Sequence, residues 1–226
     1  MPVSLADLNG NPYLGVFCRL IGGDLLCPLD TPQDFVDAVV DTLKVRPKKA
    51  TLGNTNLHGS LIAGNSQFAI IPYFFDREEF MRTLSENGEG PDLSVLLSDD
   101  PHTAWGNNLL LSEKAGLYNP DLSASTVKKL RRELDIELVE GTIAGIKTVG
   151  SVAVMNGSGI VVHPKATPEE MERIGELFGL RPQISTANFG SPYLGSSMIV
   201  NDRGAMIGNK SSGVEVNRLE NALDLI

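Results

Sequence analysis

The sequence predicts a five-fold pseudosymmetric αβ propeller: five units of about 45 residues around one axis, predicted by three observations that stay in register. A proline closes a short apolar run in Leu25-Leu26-Cys27-Pro28, Ala69-Ile70-Ile71-Pro72, Gly116-Leu117-Tyr118-Asn119-Pro120 and Ile160-Val161-Val162-His163-Pro164, at intervals of 44, 48 and 44 residues. A further 44 lands on Gly208, which closes Ala205-Met206-Ile207 in the same way. A glycine stands 13 or 14 residues before each closing residue, at Gly15, Gly59, Gly106, Gly150 and Gly195, and a good helix N-cap residue stands 3 or 4 after it, at Thr31, Asp76, Ser123, Thr167 and Ser212.

Each unit reads as strand, glycine turn, strand, tight turn, strand, helix. In the first unit Thr31-Pro32 places proline at the first helical position, and Phe35, Val36, Val39, Val40 and Leu43 recur at helical spacing. The second pairs strands around Ile62-Ala63 and Phe68 to Ile71, then caps a helix with Asp76-Arg77-Glu78-Glu79, an aspartate version of the capping box. The third repeats the pattern through Gly106, Pro120 and Ser123. In the fourth, Val152-Ala153-Val154-Met155 and Ile160-Val161-Val162-His163 flank Asn156-Gly157-Ser158-Gly159, a strong hairpin signal. Thr167-Pro168-Glu169-Glu170 then starts a helix carrying Met171, Ile174, Leu177 and Phe178, and Ser212-Gly213-Val214-Glu215 starts the fifth. The units span 1–47, 48–91, 92–136, 137–181 and 182–226 of a single 1–226 domain. The polar stretch Ser85 to Pro91 reads as the flexible loop. A unit this small cannot bury both faces of its sheet, and neither end carries a polar cap, so the array is expected to close on itself, strands around the axis and helices outside.

Composition narrows the function. With 19 Lys+Arg against 28 Asp+Glu in 226 residues the formal charge is −9, which disfavours binding that rests on neutralising phosphates. Hydrophobic residues at 42% and charged ones at 21% are ordinary for a folded protein. No apolar run approaches the roughly 18 residues of a membrane span, and the start Met1 to Asp7 lacks a signal-peptide pattern, so a soluble cytoplasmic protein is expected. Cys18 and Cys27 read as reduced, buried thiols.

The run Gly150 to Pro164 resembles the translation initiation factor 6 family, the archaeal and eukaryotic ribosome anti-association factors. So do Ile199-Val200-Asn201-Asp202, the turn Asn188-Phe189-Gly190-Ser191, Ala63-Gly64-Asn65 and Gly106-Asn107. The resemblance covers essentially the whole chain and implies the five-bladed pentein fold. It departs at Phe189, where the family usually has arginine, so a contact made by that arginine does not carry over. The chain ends at the fifth unit, as archaeal-type members do, and tail-dependent regulation is expected to be absent. The resemblance further implies binding to the intersubunit face of the large ribosomal subunit, on a ribosomal protein near the sarcin-ricin loop. Joining of the small subunit would be blocked sterically, with a role in large-subunit biogenesis and release by a translocation-type GTPase. An acidic protein docks better on a basic ribosomal protein than on bare phosphate, so rRNA contact is at most secondary.

Pseudosymmetry puts the five glycines on one face around the axis. The expected ribosome-binding residues are Gly15, Gly59, Ser60, Trp105, Gly106, Asn107, Gly150, Ser151, Gly195 and Ser196. Asn107 matches the family's ribosome-facing turn, and Trp105 is a candidate anchor. The competing reading is that these glycines only serve turns needing positive φ. A bulky charged residue at Gly106 or Asn107 is expected to weaken docking and leave thermal unfolding unchanged.

An enzyme is the principal rival, since the pentein ring also houses deiminases and amidinotransferases. These resemble one another in a late cysteine nucleophile, with a histidine and acidic residues gathered at the pore. Here both cysteines lie in the first unit and no cysteine follows Cys27. His163 reads as a strand-end structural residue, and His58 and His102 show no metal-ligand spacing. No catalytic residue, metal or cofactor is expected, and the protein is expected to be a monomer. The basic clusters Lys44 to Lys49 and Lys128 to Arg132 read as the end of one helix and the solvated face of another.

Overall fold

The computed structural model describes residues 2–85 and 91–226. Residues 86–90, the centre of the expected loop, lie outside the described residues. In chain order the elements are β1 (Val3–Ala6), α1 (Leu14–Phe17), β2 (Arg19–Ile21), β3 (Asp24–Pro28), α2 (Gln33–Leu43) and β4 (Arg46–Ala50). Then come α3 (His58–Leu61), β5 (Ala63–Gly64), β6 (Phe68–Pro72), α4 (Arg77–Leu84), β7 (Ser94–Ser98), α5 (Trp105–Asn108), β8 (Leu109–Leu111), β9 (Ala115–Tyr118), α6 (Ala124–Glu133) and β10 (Glu137–Glu140). A 3-10 turn (Val149–Ser151) precedes β11 (Ala153–Met155), β12 (Ile160–Val162), α7 (Pro168–Phe178), β13 (Pro182–Ile184), α8 (Leu194–Ser197), β14 (Met198–Asn201), β15 (Gly204–Gly208) and α9 (Gly213–Ala222).

The strands form five three-stranded sheets, β2-β3-β4, β5-β6-β7, β8-β9-β10, β11-β12-β13 and β14-β15-β1. This is the five-fold architecture expected from the spacing. In each blade an antiparallel hairpin leads through the long helix to a parallel third strand, so sequence repeat and sheet are one strand out of phase. The fifth blade borrows its third strand from the N-terminus: β1 pairs parallel with β15 through Val3↔Ala205, Ser4↔Met206, Leu5↔Ile207 and Ala6↔Gly208. That pairing closes the ring and leaves the array no end to cap.

The middle strands have continuous apolar runs because each sheet is covered on both faces. Leu25 and Cys27 of β3 pack with Phe35, Val39 and Leu43 of their own helix α2. Leu26, pointing the other way, packs with Phe80 and Leu84 of the next blade's helix. The same sharing recurs around the ring, as where Ala63, Phe68 and Ile70 of blade two meet Trp105, Leu109 and Leu130 of blade three. Each of five cores thus belongs to two consecutive blades.

Capping follows the sequence in four of five helices. Asp76, Ser123, Thr167 and Ser212 accept from the backbone N–H three residues on, with full capping boxes at Thr167/Glu170 and Ser212/Glu215. Asp76 lacks the reciprocal bond from Glu79. Thr31 is not a cap: its hydroxyl donates to the Pro28 carbonyl at 2.7 Å, and Pro32 stands at the N-cap. The first basic cluster is not a helix end either. Arg46 to Lys49 lie in β4, because Lys44 ends α2 in the left-handed conformation at φ 56°.

The five short turns around the axis are single helical turns, each against its neighbours in the order α1, α3, α5, the 3-10 turn, α8 and back to α1. A β-carbon on Gly15 would collide with the carbonyl oxygen of Gly195. One on Gly59 would strike that of Gly15, one on Gly106 that of Gly59, one on Gly150 that of Gly106, and one on Gly195 that of Gly150. None of the five has positive φ. They are glycine because backbone must meet backbone. Gly59→Ala should therefore cost more than about 2 kcal/mol in denaturant unfolding, whereas Gly145→Asn, at a positive-φ turn position with open space around it, should cost less than about 1.

Candidate functional site

All five glycine turns lie at the same end of the sheets. That end also carries the tight turns after the third strands, the loops after the middle strands and the N-termini of the long helices. The tight turns are built with left-handed residues: Asn9 and Gly10, Gly53 and Asn54, Ala144 and Gly145, and Asn188, Phe189 and Gly190. Two glutamates tie turns to helices. Glu170 accepts from Thr142 Oγ1 at 2.7 Å and from the backbone N–H of Ala144, Gly145 and Thr167. Glu215 does the same for Thr186 Oγ1, Phe189, Gly190 and Ser212. Burial raises the Glu215 carboxyl, but these donors outweigh it and hold it at about 2. In blade three Asp100 takes this place, accepting from the backbone N–H of His102 and Ser123 and lying 2.9 Å from His102 Nδ1.

The expected site residues separate into two groups. Gly59, Gly106 and Ser151 are buried, whereas Gly15, Gly150 and Gly195 are partly exposed, and the close backbone contacts of all five glycines build the face. Trp105 is not an interface anchor: its side chain is 0% exposed in the core shared by blades two and three. The residue before every ring glycine is likewise fully buried, namely Leu14, His58, Trp105, Val149 and Leu194. Gly106 cannot take a bulky charged residue without disturbing the fold, because Gly59 O and the Arg19 guanidinium occupy that space. Ser60, Asn107 and Ser196 follow their glycines and remain partly exposed at the centre of the face. Among the described residues the Asn107 side chain makes no hydrogen bond, and it is free to meet a partner.

Further out, the same end carries the large apolar side chains Leu29, Leu57, Tyr73, Phe74 and Tyr193, which sequence reading passed over, together with Phe189, noted there only as a departure from the family. Tyr73 and Phe74 stack edge to face at 5.5 Å, and Phe74 and Phe75 at 5.3 Å, Phe75 being buried beside Gly53. Phe189 is 86% exposed at φ 62°, a conformation that disfavours bulky residues. The Glu215 carboxylate holds the Phe189 backbone in this conformation by accepting from its N–H.

The opposite end of the ring is held by asparagines. Asn65, Asn156 and Asn201 each accept two backbone N–H bonds within their own hairpin turn. Each also donates across to the next blade, to the carbonyls of Ser112, Leu223 and Leu43 respectively. Glu113 binds Ser66, and Asp202 binds the Gly157 N–H, between neighbouring hairpins. The basic clusters are largely engaged within the fold: Arg46 pairs with Asp24 at 2.8 Å, Lys49 donates to Thr31 O, Lys129 to Leu97 O and Arg131 to Leu138 O.

The chemistry-bearing residues do not converge. Cys18 and Cys27 are free and buried, with thiol pKa values pushed up by that burial. His163 lies at a strand end, its Nδ1 accepting from Lys165 N, and His102 is at the periphery of blade three. Among the described residues no three His, Cys, Asp or Glu side chains could hold a metal ion. No described helix is long and apolar enough to cross a membrane.

The chain matches the model of the eIF-6 family over residues 3–222. It is 32% identical over 227 residues to a protein of Pyrococcus abyssi named translation initiation factor 6, with 100% of both chains covered. Its identity is 33% over 217 residues to the one of Picrophilus torridus, covering 96% of each. Against that of Methanosarcina mazei it is 32% over 224 residues, covering 99% of each. Among solved structures it is similar to a dimethylarginine dimethylaminohydrolase in its adduct with S-methyl-L-thiocitrulline. There the TM-score is 0.50 at 12% identity, over 92% of this chain and 72% of that one, a likeness of pentein fold alone.

His58 stands where the other blades have Leu, Trp, Val and Leu, with neither ring nitrogen hydrogen-bonded and only the Thr55 backbone nearby to favour the proton. Burial lowers its pKa to about 4. The folded state therefore resists the proton that the unfolded chain accepts near pH 6.5, so this contribution is complete above that pH and is lost as pH falls toward 4. Unfolding free energy should drop by about 3 kcal/mol across that window from His58, with additions of the same sign from His163 and, below about pH 4.5, from Glu170 and Glu215. In His58→Leu, chemical denaturation should show most of that slope gone.

Proposed function

The chain belongs to the eIF-6 family, and from that membership we propose that it is a translation initiation factor that docks on the intersubunit face of the large ribosomal subunit. By occupying that face it blocks association with the small subunit, and it takes part in large-subunit biogenesis. The observation that carries the reading is the end of the ring built on the five glycines. It is backbone-packed at its centre, offers Ser60, Asn107 and Ser196 as free polar groups, and is surrounded by exposed Leu57, Tyr73, Phe74, Phe189 and Tyr193. A rigid surface with aromatic anchors loses little entropy on binding.

Charge assigns the partner's character. A protein of net charge −9 whose basic clusters are largely spent on internal contacts is steered to a basic protein surface. The proposed anchor is a ribosomal protein of the interface near the sarcin-ricin loop, with rRNA contact secondary and release by a translocation-type GTPase. The factor acts as a cytoplasmic monomer, without catalysis.

Sedimentation with separated archaeal subunits is the direct test: the protein should migrate with the large subunit and suppress its joining to the small one. Migration with the small subunit or with neither, joining unhindered, overturns the proposal. Asn107→Lys should weaken large-subunit binding about tenfold or more with the melting temperature unchanged, since its side chain serves no internal bond. Phe189→Asn should weaken binding too, yet raise unfolding free energy by up to about 1 kcal/mol, because asparagine tolerates the left-handed backbone.

A further inference from the structure

On the axis, behind the glycine ring, lies a cavity of about 160 Å³ whose walls come from the first strands of all five blades. Leu20, Ala63, Leu110, Val154 and Met198 are typical of its lining, and the one charged side chain among its walls is Arg19. The Arg19 guanidinium reaches across from blade one, donates to the Gly59 carbonyl and lies beside Gly106. Its Nε is buried with no partner, and among the described residues no carboxylate forms an ion pair with it.

We propose that this cavity binds a small monovalent anion, chloride being the best fit, as the counter-ion of Arg19. A guanidinium does not shed its charge at neutral pH, and burial lowers the Arg19 pKa only to about 10. Arg19 is partly exposed as a residue, yet its Nε is cut off from solvent with no partner; a charge so incompletely solvated is costly, and one carbonyl dipole offsets a fraction of it. The other titratable group of the lining, the Cys18 thiol, is held protonated by burial and supplies no negative charge. Glu113 and Asp202 stand at the hairpin mouth beyond the cavity, where Ser66 and Gly157 occupy them. The space holds one ion and a few waters at about 30 Å³ each. Walls of Leu, Ala, Val and Met suit a weakly hydrated halide better than a phosphate, which needs several donors. The ion would neutralise the one charge beside the glycine ring and so brace the docking face from behind, whatever that face binds.

Bromide is the probe. Crystals of the wild-type protein grown without chloride and soaked in bromide should show an anomalous peak within hydrogen-bonding distance of the Arg19 guanidinium. In solution, bromide or chloride replacing gluconate at constant ionic strength should raise the wild-type melting temperature saturably, by about 5 °C at a hundredfold excess over Kd. Arg19→Met, close in volume and uncharged, should lose that halide-specific rise. Absence of a bromide peak in the cavity at saturating halide overturns the proposal, whether or not the variant folds. So does an equal halide response in Arg19→Met.

Discussion

Everything in this ring depends on one close approach, the Cα of each axial glycine against the carbonyl oxygen of the glycine one blade earlier. Five such contacts in a cycle, Gly15 on Gly195, Gly59 on Gly15, Gly106 on Gly59, Gly150 on Gly106 and Gly195 on Gly150, set how near the blades come to the axis. That distance sets the rest. It brings each sheet close enough to the next blade's helix for Leu26, and its counterparts in the other blades, to be buried on a face an isolated blade would leave wet. It makes closure by β1 against β15 geometrically possible.

The same contact explains why one end of the molecule is rigid. Backbone packed on backbone has few ways to relax, so the turns that follow the glycines are held in place by main chain rather than by side-chain fit. Glu170, Glu215 and Asp100 extend that rigidity outward by fastening the tight turns to the helix N-termini. Strain is placed at the margin of this platform, in Phe189, where an aromatic ring is displayed on a left-handed backbone. The hairpin end is organised differently: asparagines clasp blade two to three, four to five and five to one, and the axial cavity opens between them. The two ends thus join neighbouring blades by different means, backbone on backbone at one and side chain to backbone at the other.

Much of this was legible along the chain. The periodic prolines and glycines mark the blades because a fold built five times over must meet the same constraints at the same offsets. The caps at Asp76, Ser123, Thr167 and Ser212 were readable for the same local reason, an oxygen placed to accept the first free N–H. What misled was the attribution of cause. The competing reading of the ring glycines, positive φ, fails: they have ordinary φ and answer to a neighbour some 45 residues away. A lone tryptophan suggests an interface, yet Trp105 occupies the same core position as Leu14 and Val149. Aligning the residue before each glycine would have exposed that, and would have singled out His58 as the polar exception.

By itself the sequence determined the number of blades, the order of elements within each and the family the chain belongs to, since these are written in spacing and local chemistry. Tertiary structure alone decided which groups meet: β1 with β15 across the whole length of the chain, Arg19 with the carbonyl of Gly59, and six exposed apolar side chains from three of the five units on one end. Periodicity says what recurs, whereas contact depends on how the ring is closed, and closure is a property of all five blades together.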